Sequence, residues 1–345
     1  MDQLRPQDIL RAWNLDHARI EEVRSGHINR TWRIVSHGVS YALQWLNPIF
    51  DPVLHLDIDA VTSRLHQMGL ITPRLVPTTS GELWFDDKKT GVWRMFSWID
   101  GETFLNTDSV KICGEAGRLL GLFHSALWDF EHEFSFTRLG VHDTEKHISN
   151  LKRVMQKHAD HPKFSEVNDV AKKILDELAI LDLPLSSGPR IVHGDPKLSN
   201  IVFSSKGRAV CMVDLDTLAR MPIAVELGDA LRSWCNPAGE EHQPCFRMDL
   251  FRSAIKGYAQ AMRDKASEQD WQPIPKWTGI ISLELAARFC ADALEESYFR
   301  WDESLFASAS EHNLLRAKVQ LDLARSIARH KDLMEKTNRD IWLGK

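Results

Sequence analysis

The stretch IVHGDPKLSNIVF, from Ile191 to Phe203, sets the tightest limit on how this chain can fold. It places an Asp, a Lys and an Asn between two apolar runs, each only long enough for a short strand. The half of the chain around it otherwise reads as helix. A further apolar run follows and ends in VDLDT, which brings Asp214 and Asp216 to a strand end. Charge held between strands is costly unless something completes it. Strands that pin two charged loops therefore point to a site as well as to a fold.

The rest of the chain divides unevenly. TWRIV and YALQWL are β-rich runs joined through SHGVS, where Gly38 suits a tight hairpin turn. LHLDIDAVTSRLHQM sets Leu54, Ile58, Val61, Leu65 and Met68 at helical spacing, and GELWFDDKKTGVWRMFSWI reads as two strands about a polar turn. Beyond these, helical periodicity recurs near 109–128, 145–158, 165–182, 245–268, 276–298 and 311–335. Only the short strands at 191–203 and 209–213 interrupt it. The expectation is an α+β chain of two lobes, a small β-rich one over 1–98 and a large helical one over 99–345. They join near FSWIDGETF, where Asp100-Gly101 signals a turn. A length of 345 residues suits two lobes.

Composition narrows the class. Apolar residues make up 43 % and charged residues 26 %, and the net charge is −5. Mild acidity argues against nucleic acid, whose phosphates call for basic surfaces. No apolar run approaches the roughly 18 residues that a membrane span needs. The opening segment MDQLRPQDILRAWNLD has early acids and no apolar core, so it does not read as a secretory signal. Cys113, Cys211, Cys235, Cys245 and Cys290 show no C-x-x-C spacing and read as buried free thiols of a reducing, cytoplasmic setting. The pairs His142/His147 and His124/His132 lack zinc-type company and read as core or surface histidines.

Phosphoryl transfer from a nucleoside triphosphate needs a group that orients the acceptor hydroxyl and takes its proton. It also needs a divalent cation on the phosphates and positive charge near the moving group. HGDPKLSN reads H-x-D-x-K-x-x-N, the catalytic-loop pattern of kinases. In that reading Asp195 accepts the proton, Lys197 meets the transferring phosphate and Asn200 is a metal ligand. Asp214 then sits where the principal metal-binding acid belongs. Asp216 is either a ligand to a second metal or a cap on the following turn. His193 reads as a hydrogen-bonded support for the loop.

The loop resembles that of the aminoglycoside phosphotransferase and choline kinase superfamily. More closely, the chain looks like the N-acetylhexosamine 1-kinase branch, through SGHINRTWRI, YALQWLNPIF, VHGDPKLSNIVF, MVDLDTLARMP, ELGDALRSWCNP and ELAARFCADALEESYF, from about residue 24 to 300. The resemblance implies a protein-kinase-like fold, ATP as co-substrate and Mg²⁺ as cofactor. It puts Gly26 and Asn29 at the loop over the phosphates, and the backbone of Phe96 to Ile99, with Trp98, at the adenine. It also exposes a departure. Gln44 stands where kinases carry a strand lysine, and the following helix offers Asp57 and Asp59 instead of a glutamate. Arg33 or Arg94, on neighbouring strands, are the alternative sources of charge.

On the acceptor side, Glu284, Arg288 and Asp292 recur at i, i+4 and i+8 and share a helix face. They form either a solvated stripe or a polar wall against a sugar. Arg232, Asp143 and Trp234 are further candidates, and Asp229 is expected to brace the catalytic loop. The resulting expectation is a cytoplasmic, ATP- and Mg²⁺-dependent kinase of carbohydrate metabolism acting on the anomeric hydroxyl of an N-acetylhexosamine, as monomer or homodimer, with no nucleic acid or membrane partner. Alternatives are an aminoglycoside, amino alcohol or other sugar acceptor, or a nucleotide-binding module without catalysis, which Gln44 motivates.

Overall fold

The structure, a computed structural model, describes residues 4–23, 29–136 and 142–345. A one-turn helix α1 (Pro6–Ile9) precedes β1 (Arg19–Val23), β2 (Arg30–Ser36) and β3 (Val39–Trp45). Helix α2 (Leu54–Gln67) follows, then β4 (Phe85–Asp87) and β5 (Gly91–Ser97). The strands form one antiparallel sheet in the order β1-β2-β3-β5-β4. The β2–β3 hairpin closes through His37 and Gly38, both at positive φ (51° and 79°), the backbone of a two-residue primed turn.

Alternation gives the two faces of this sheet different work. Trp32, Ile34, Leu43, Trp93 and Met95 point to one face and pack with Ile9, Leu10 and Trp13 into a small core. The opposite face carries Thr31, Gln44 and Arg94, which are directly paired across three strands.

The remaining helices are α3 (Val110–Leu127), α4 (Thr144–Lys157), α5 (Phe164–Ala179), α6 (Ile223–Trp234), α7 (Met248–Met262), α8 (Glu268–Trp271), α9 (Ile274–Glu295), α10 (Ala309–Arg329) and α11 (Lys331–Trp342). Helix α9 is buried on nearly every side, against α4, α5, α6 and α10. Helices α3 and α7 approach so closely that a Cβ on Gly117 would lie 2.0 Å from the Ala254 carbonyl oxygen. The apolar face of α2 (Leu54, Ile58, Val61, Leu65) joins the same core as Ile112, Leu119 and Phe123 of α3.

The structure departs from the sequence reading at three places. Helix α6 was not expected. The run read as 311–335 breaks at His330, whose ring bonds the Ser326 carbonyl at 2.8 Å and takes the acceptor that the helical ladder would use. Cys245 is exposed, whereas the other four cysteines are buried. No helix among the described residues is long and apolar enough to cross a membrane.

Four short strands position the site. β6 (Arg190–Val192) pairs with β9 (Ala219–Met221), while β7 (Ile201–Phe203) pairs with β8 (Ala209–Met212). The β7–β8 hairpin is thus nested in sequence between the two strands of the β6–β9 pair. The β6–β7 and β8–β9 connections must then lie side by side, and they carry Asp195–Asn200 and Asp214–Asp216.

Candidate active site

Hydrogen bonds lock these two connections together. Val213 N–H donates to the Asn200 carbonyl at 2.9 Å and the Thr217 hydroxyl to the His193 carbonyl at 2.9 Å. His193 is fully buried. Its Nε2 bonds the Val213 carbonyl at 2.8 Å and its Nδ1 accepts from Asp195 N–H at 3.3 Å, which suits a single neutral tautomer. Burial lowers its pKa, in keeping with a neutral prop.

Between them the side chains converge. Lys197 Nζ donates to Asp195 Oδ2 at 2.7 Å, and Asn200 Nδ2 donates to the same oxygen at 3.1 Å and to the Asp195 carbonyl at 2.9 Å. Asp195 Oδ1 is left without a hydrogen bond among the described residues. Burial works against the Lys197 charge, but the nearby Asp195 carboxylate outweighs it and raises the ammonium's pKa. Asp214 adopts a left-handed conformation (φ 63°, ψ 58°), which costs a non-glycine residue about 1 kcal/mol. Its carboxylate is open to water but crowded by protein. That crowding, with Asp216 and Asp195 adding like charge, pushes its pKa up to about 6.

A carboxyl raised this way is one that a cation would stabilise. Asp214 offers a carboxylate, and Asn200, its amide NH₂ turned to Asp195, offers Oδ1. Hard oxygen donors of this kind fit Mg²⁺, which keeps water and phosphate in its remaining positions. No cluster of three or more His, Cys, Asp or Glu side chains arranged for a metal occurs among the described residues.

Asp216 corrects the second-metal reading. Both of its oxygens are taken: Arg94 Nη1 and Nη2 donate to Oδ1 and Oδ2 at 2.5 and 2.9 Å, and Asn29 Nδ2 donates to Oδ2 at 2.6 Å. Desolvation alone would raise its pKa, but Arg94 and Asn29 hold it below the usual value. Asn29 also accepts from Asn47 N–H at 3.0 Å. Gln44 Oε1 takes Arg94 Nε–H at 3.0 Å, while its amide donates to Thr31 Oγ1 at 3.0 Å. Of the alternative arginines, Arg33 lies elsewhere, against Ser40, Asp100 and the Trp98 ring. Asp57 and Asp59 do not reach Gln44. Asp57 is buried against His132 and the N–H groups of Ser135 and Phe136, and Asp59 pairs with Arg74.

At the lobe junction, Phe96 is buried beneath Arg94, and Trp98 Nε1 bonds Asp100. The N–H groups of Ser97 and Trp98 already donate to the Arg74 and Ser40 carbonyls. The expected hydrogen-bonding edge therefore narrows to Ile99 and the carbonyls. Gly26 lies outside the described residues.

The acceptor-side stripe needs correction as well. Glu284 and Asp292 are 1 % and 3 % exposed, so neither forms a wall open to a ligand. Because α9 is central, its acids meet the ends of neighbouring segments. Glu284 takes the Thr144 hydroxyl at 2.7 Å and His142 Nδ1 at 3.1 Å. Asp292 takes the N–H groups of Ser297, Tyr298 and Phe299. Asp143 caps α4 through Lys146 N–H at 3.0 Å, and its neighbour His142 is the residue that turns inward. Trp234 is core, its Nε1 fixed on the Pro196 carbonyl at 2.8 Å.

Asp229 does not hydrogen-bond the catalytic loop; it pairs with Arg232 at 2.8 Å, and Arg232 also reaches Glu240 at 3.0 Å. Arg288 is half-buried, lies over the Tyr298 and Phe299 rings, and has no carboxylate partner among the described residues. The residue that does brace the loop is Glu226 of α6. Its Oε1 takes Gly194 N–H at 2.6 Å, its Oε2 meets His124 Nε2 at 2.5 Å, and Tyr258 OH meets the other His124 nitrogen at 2.7 Å. The sequence carried a signal for it: Ile223, Leu227, Ala230, Leu231 and Trp234 hold helical spacing, and Glu226 is an acid embedded in that apolar run.

A β-sheet lobe over a helical lobe, with an acid–lysine–asparagine loop facing a second acid, is a protein-kinase-like fold. Among solved structures the chain is similar to an amicoumacin kinase in complex with AMP-PNP, Ca²⁺ and its ligand (TM-score 0.63, 14 % identity, 97 % of this chain and 93 % of that one). It is also similar to a microcompartment-associated aminopropanol kinase (0.63, 15 %, 95 % and 98 %). A third is an aminoglycoside phosphotransferase from Alicyclobacillus acidocaldarius (0.61, 16 %, 97 % and 98 %). At these identities the likeness is one of fold. The chain belongs to the phosphotransferase enzyme family, whose model it matches over residues 19–265.

Proposed function

We propose that this protein is an ATP- and Mg²⁺-dependent small-molecule kinase that phosphorylates a neutral sugar, an N-acetylhexosamine at its anomeric hydroxyl. One observation carries the kinase reading: among the described residues Asp195 keeps one carboxylate oxygen free while Lys197 and Asn200 hold the other, beside the Asp214 carboxylate. In this reading Asp195 Oδ1 orients the acceptor hydroxyl and takes its proton as the phosphoryl group leaves ATP. Lys197 offsets charge on the phosphoryl group. Asn200 and Asp214 would hold Mg²⁺, which would neutralise and align the phosphates.

The choice of acceptor rests on charge. A polycationic aminoglycoside needs uncompensated acids near Asp195. Here Asp229 and Glu284 are buried and engaged by Arg232, His142 and Thr144, so neither faces a ligand, and Arg288 is a half-buried cation with no carboxylate partner among the described residues. Such a surface favours a neutral polyhydroxyl acceptor with amide or hydroxyl oxygens for Arg288 to bond. Steady-state assay of a panel of N-acetylhexosamines, other sugars, amino alcohols and aminoglycosides, with phosphorus NMR of the product, tests this reading. The expected result is a sugar 1-phosphate. Asp195→Asn is expected to lower kcat by about 10²–10⁴-fold while Mg·ADP still binds. Turnover of a polycation in preference to sugars would overturn the acceptor. Nucleotide binding with no acceptor consumed would favour a non-catalytic module.

A further inference from the structure

We infer that Arg94 and Asp216 form the positioning ion pair of this enzyme, in place of the strand lysine and helix acid that kinases use. This rests on the kinase reading above. In protein kinases a cation on the third strand pairs with an acid on the helix, and catalysis requires that pair together with the metal-binding acid. Here the third strand carries Gln44, a neutral amide, and the helix acids Asp57 and Asp59 are engaged elsewhere. The cation comes instead from the neighbouring strand, at the position registered directly opposite Gln44.

Three features make Arg94 a built element of the site. Its side chain is 1 % exposed, and Asp216 is 2 % exposed, so the pair is shielded from water. The contact is bidentate, which is the geometry that arginine, and not lysine, can supply. Gln44 and Asn29 complete it, one orienting Arg94 Nε and the other bonding Asp216 Oδ2. Gln44 therefore holds the substitute cation in place.

The consequence falls on Asp214. Asp216 lies two residues beyond it, across a single helical turn (Leu215–Thr217), and Asp214 is the strained, left-handed residue of that turn. Tying Asp216 to β5 fixes the far side of the turn to the sheet lobe, while Val213 and Thr217 fix it to the catalytic loop. The pair thus sets where the Asp214 carboxylate stands relative to metal and phosphates. Asp216 is the counter-ion of Arg94 and leaves the metal to Asp214 and Asn200.

Calorimetric binding of Mg·ADP and of adenosine tests the assignment, because adenosine has no phosphates and needs no metal. Arg94→Met and Asp216→Leu are each expected to weaken Mg·ADP by about 10-fold or more, with adenosine changed by less than about 2-fold, since each leaves one buried charge unpaired beside Asp214. The double variant is expected to bind Mg·ADP no worse than the weaker single, as residues acting as one unit are not additive. Arg94→Lys, which can still pair at one point, is expected to lie between wild type and Arg94→Met. Should the apolar variants not fold, Arg94→Lys and Asp216→Asn carry the same comparison. Equal losses for adenosine and Mg·ADP would make the pair a general brace of the cleft and overturn the proposal, as would unchanged Mg·ADP binding. A wild-type protein that binds neither ligand would instead overturn the kinase reading.

Discussion

At the residue scale, His55 shows how the Arg94–Asp216 pair reaches beyond its own members. It opens α2, is fully buried, and stacks on Trp84 with ring centroids 5.3 Å apart. Its Nδ1 meets the Pro52 carbonyl at 2.6 Å, while its Nε2 has no partner among the described residues. Desolvation first, then the Arg94 charge, lower its pKa to about 4. The unfolded chain protonates this ring near its ordinary value of 6.5, so between about 6.5 and 4 the unfolded state binds more protons. Stability must then fall as pH drops through that window. Between pH 7.5 and 5 the His55 share of the loss is expected to be about 2 kcal/mol. Urea melts of wild type and His55→Gln at the two pH values check this; parallel losses in both proteins would refute it. His55 also shows the limit of reading residues in one dimension. The sequence named Arg94 as one source of charge, but nothing local reveals that Asp216, more than a hundred positions on, would occupy it. The catalytic loop was legible because its chemistry lies within HGDPKLSN. The sheet-lobe half was not, because it is assembled across β2, β3, β5 and the β8–β9 connection.

At the element scale, α6 is what makes the catalytic loop rigid. Its N-terminal half supplies Glu226 to Gly194 N–H, and its last residue supplies Trp234 to the Pro196 carbonyl, so one helix grips the loop on both sides of Asp195. Gly194 needs that grip. It sits at φ 84°, and a Cβ there would lie 2.0 Å from the Thr217 carbonyl oxygen. Glu226→Ala removes a fully buried acid and leaves both Gly194 N–H and His124 without it. The expected cost is about 3 kcal/mol of stability, with kcat lowered and the KM for ATP little changed. Glu226→Gln, which keeps an acceptor for Gly194, is expected to lose less of both. Denaturant titration with steady-state kinetics separates these outcomes, and unaltered kcat in a folded Glu226→Ala protein would sink the bracing role. The charged stripe of α9 teaches the complementary lesson. Spacing alone put Glu284, Arg288 and Asp292 on one face, correctly, but not which surroundings that face meets. In a central helix the acids became anchors for 142–144 and 297–299, and only Arg288 stayed half-open.

At the scale of the whole molecule, the sheet lobe is tied to the helical lobe by more than its connecting chain. Arg94 and Asn29 hold Asp216, Asp57 takes donors from His132, Ser135 and Phe136, and Arg64 Nε bonds the Ala126 carbonyl at 3.1 Å. The apolar face of α2 is continuous with the core of α3. Helix α2, which lies among the strands of the sheet lobe in sequence, is therefore docked on the helical lobe by packing. Parting the lobes would unpair buried charges at two places and expose the α2 face to water, each unfavourable. The protein without nucleotide should accordingly already hold a closed cleft, and ligand should find Asp195 and Asp214 in place instead of assembling them. Small-angle scattering is expected to give the same radius of gyration with and without Mg·ADP. Arg94→Met combined with Asp57→Ala, which releases the two ties made by buried charges, is expected to expand the unliganded protein, which then contracts when nucleotide is added. A marked contraction of the wild-type protein on binding would show instead that these ties form only with ligand present, and that closure is itself part of the catalytic cycle.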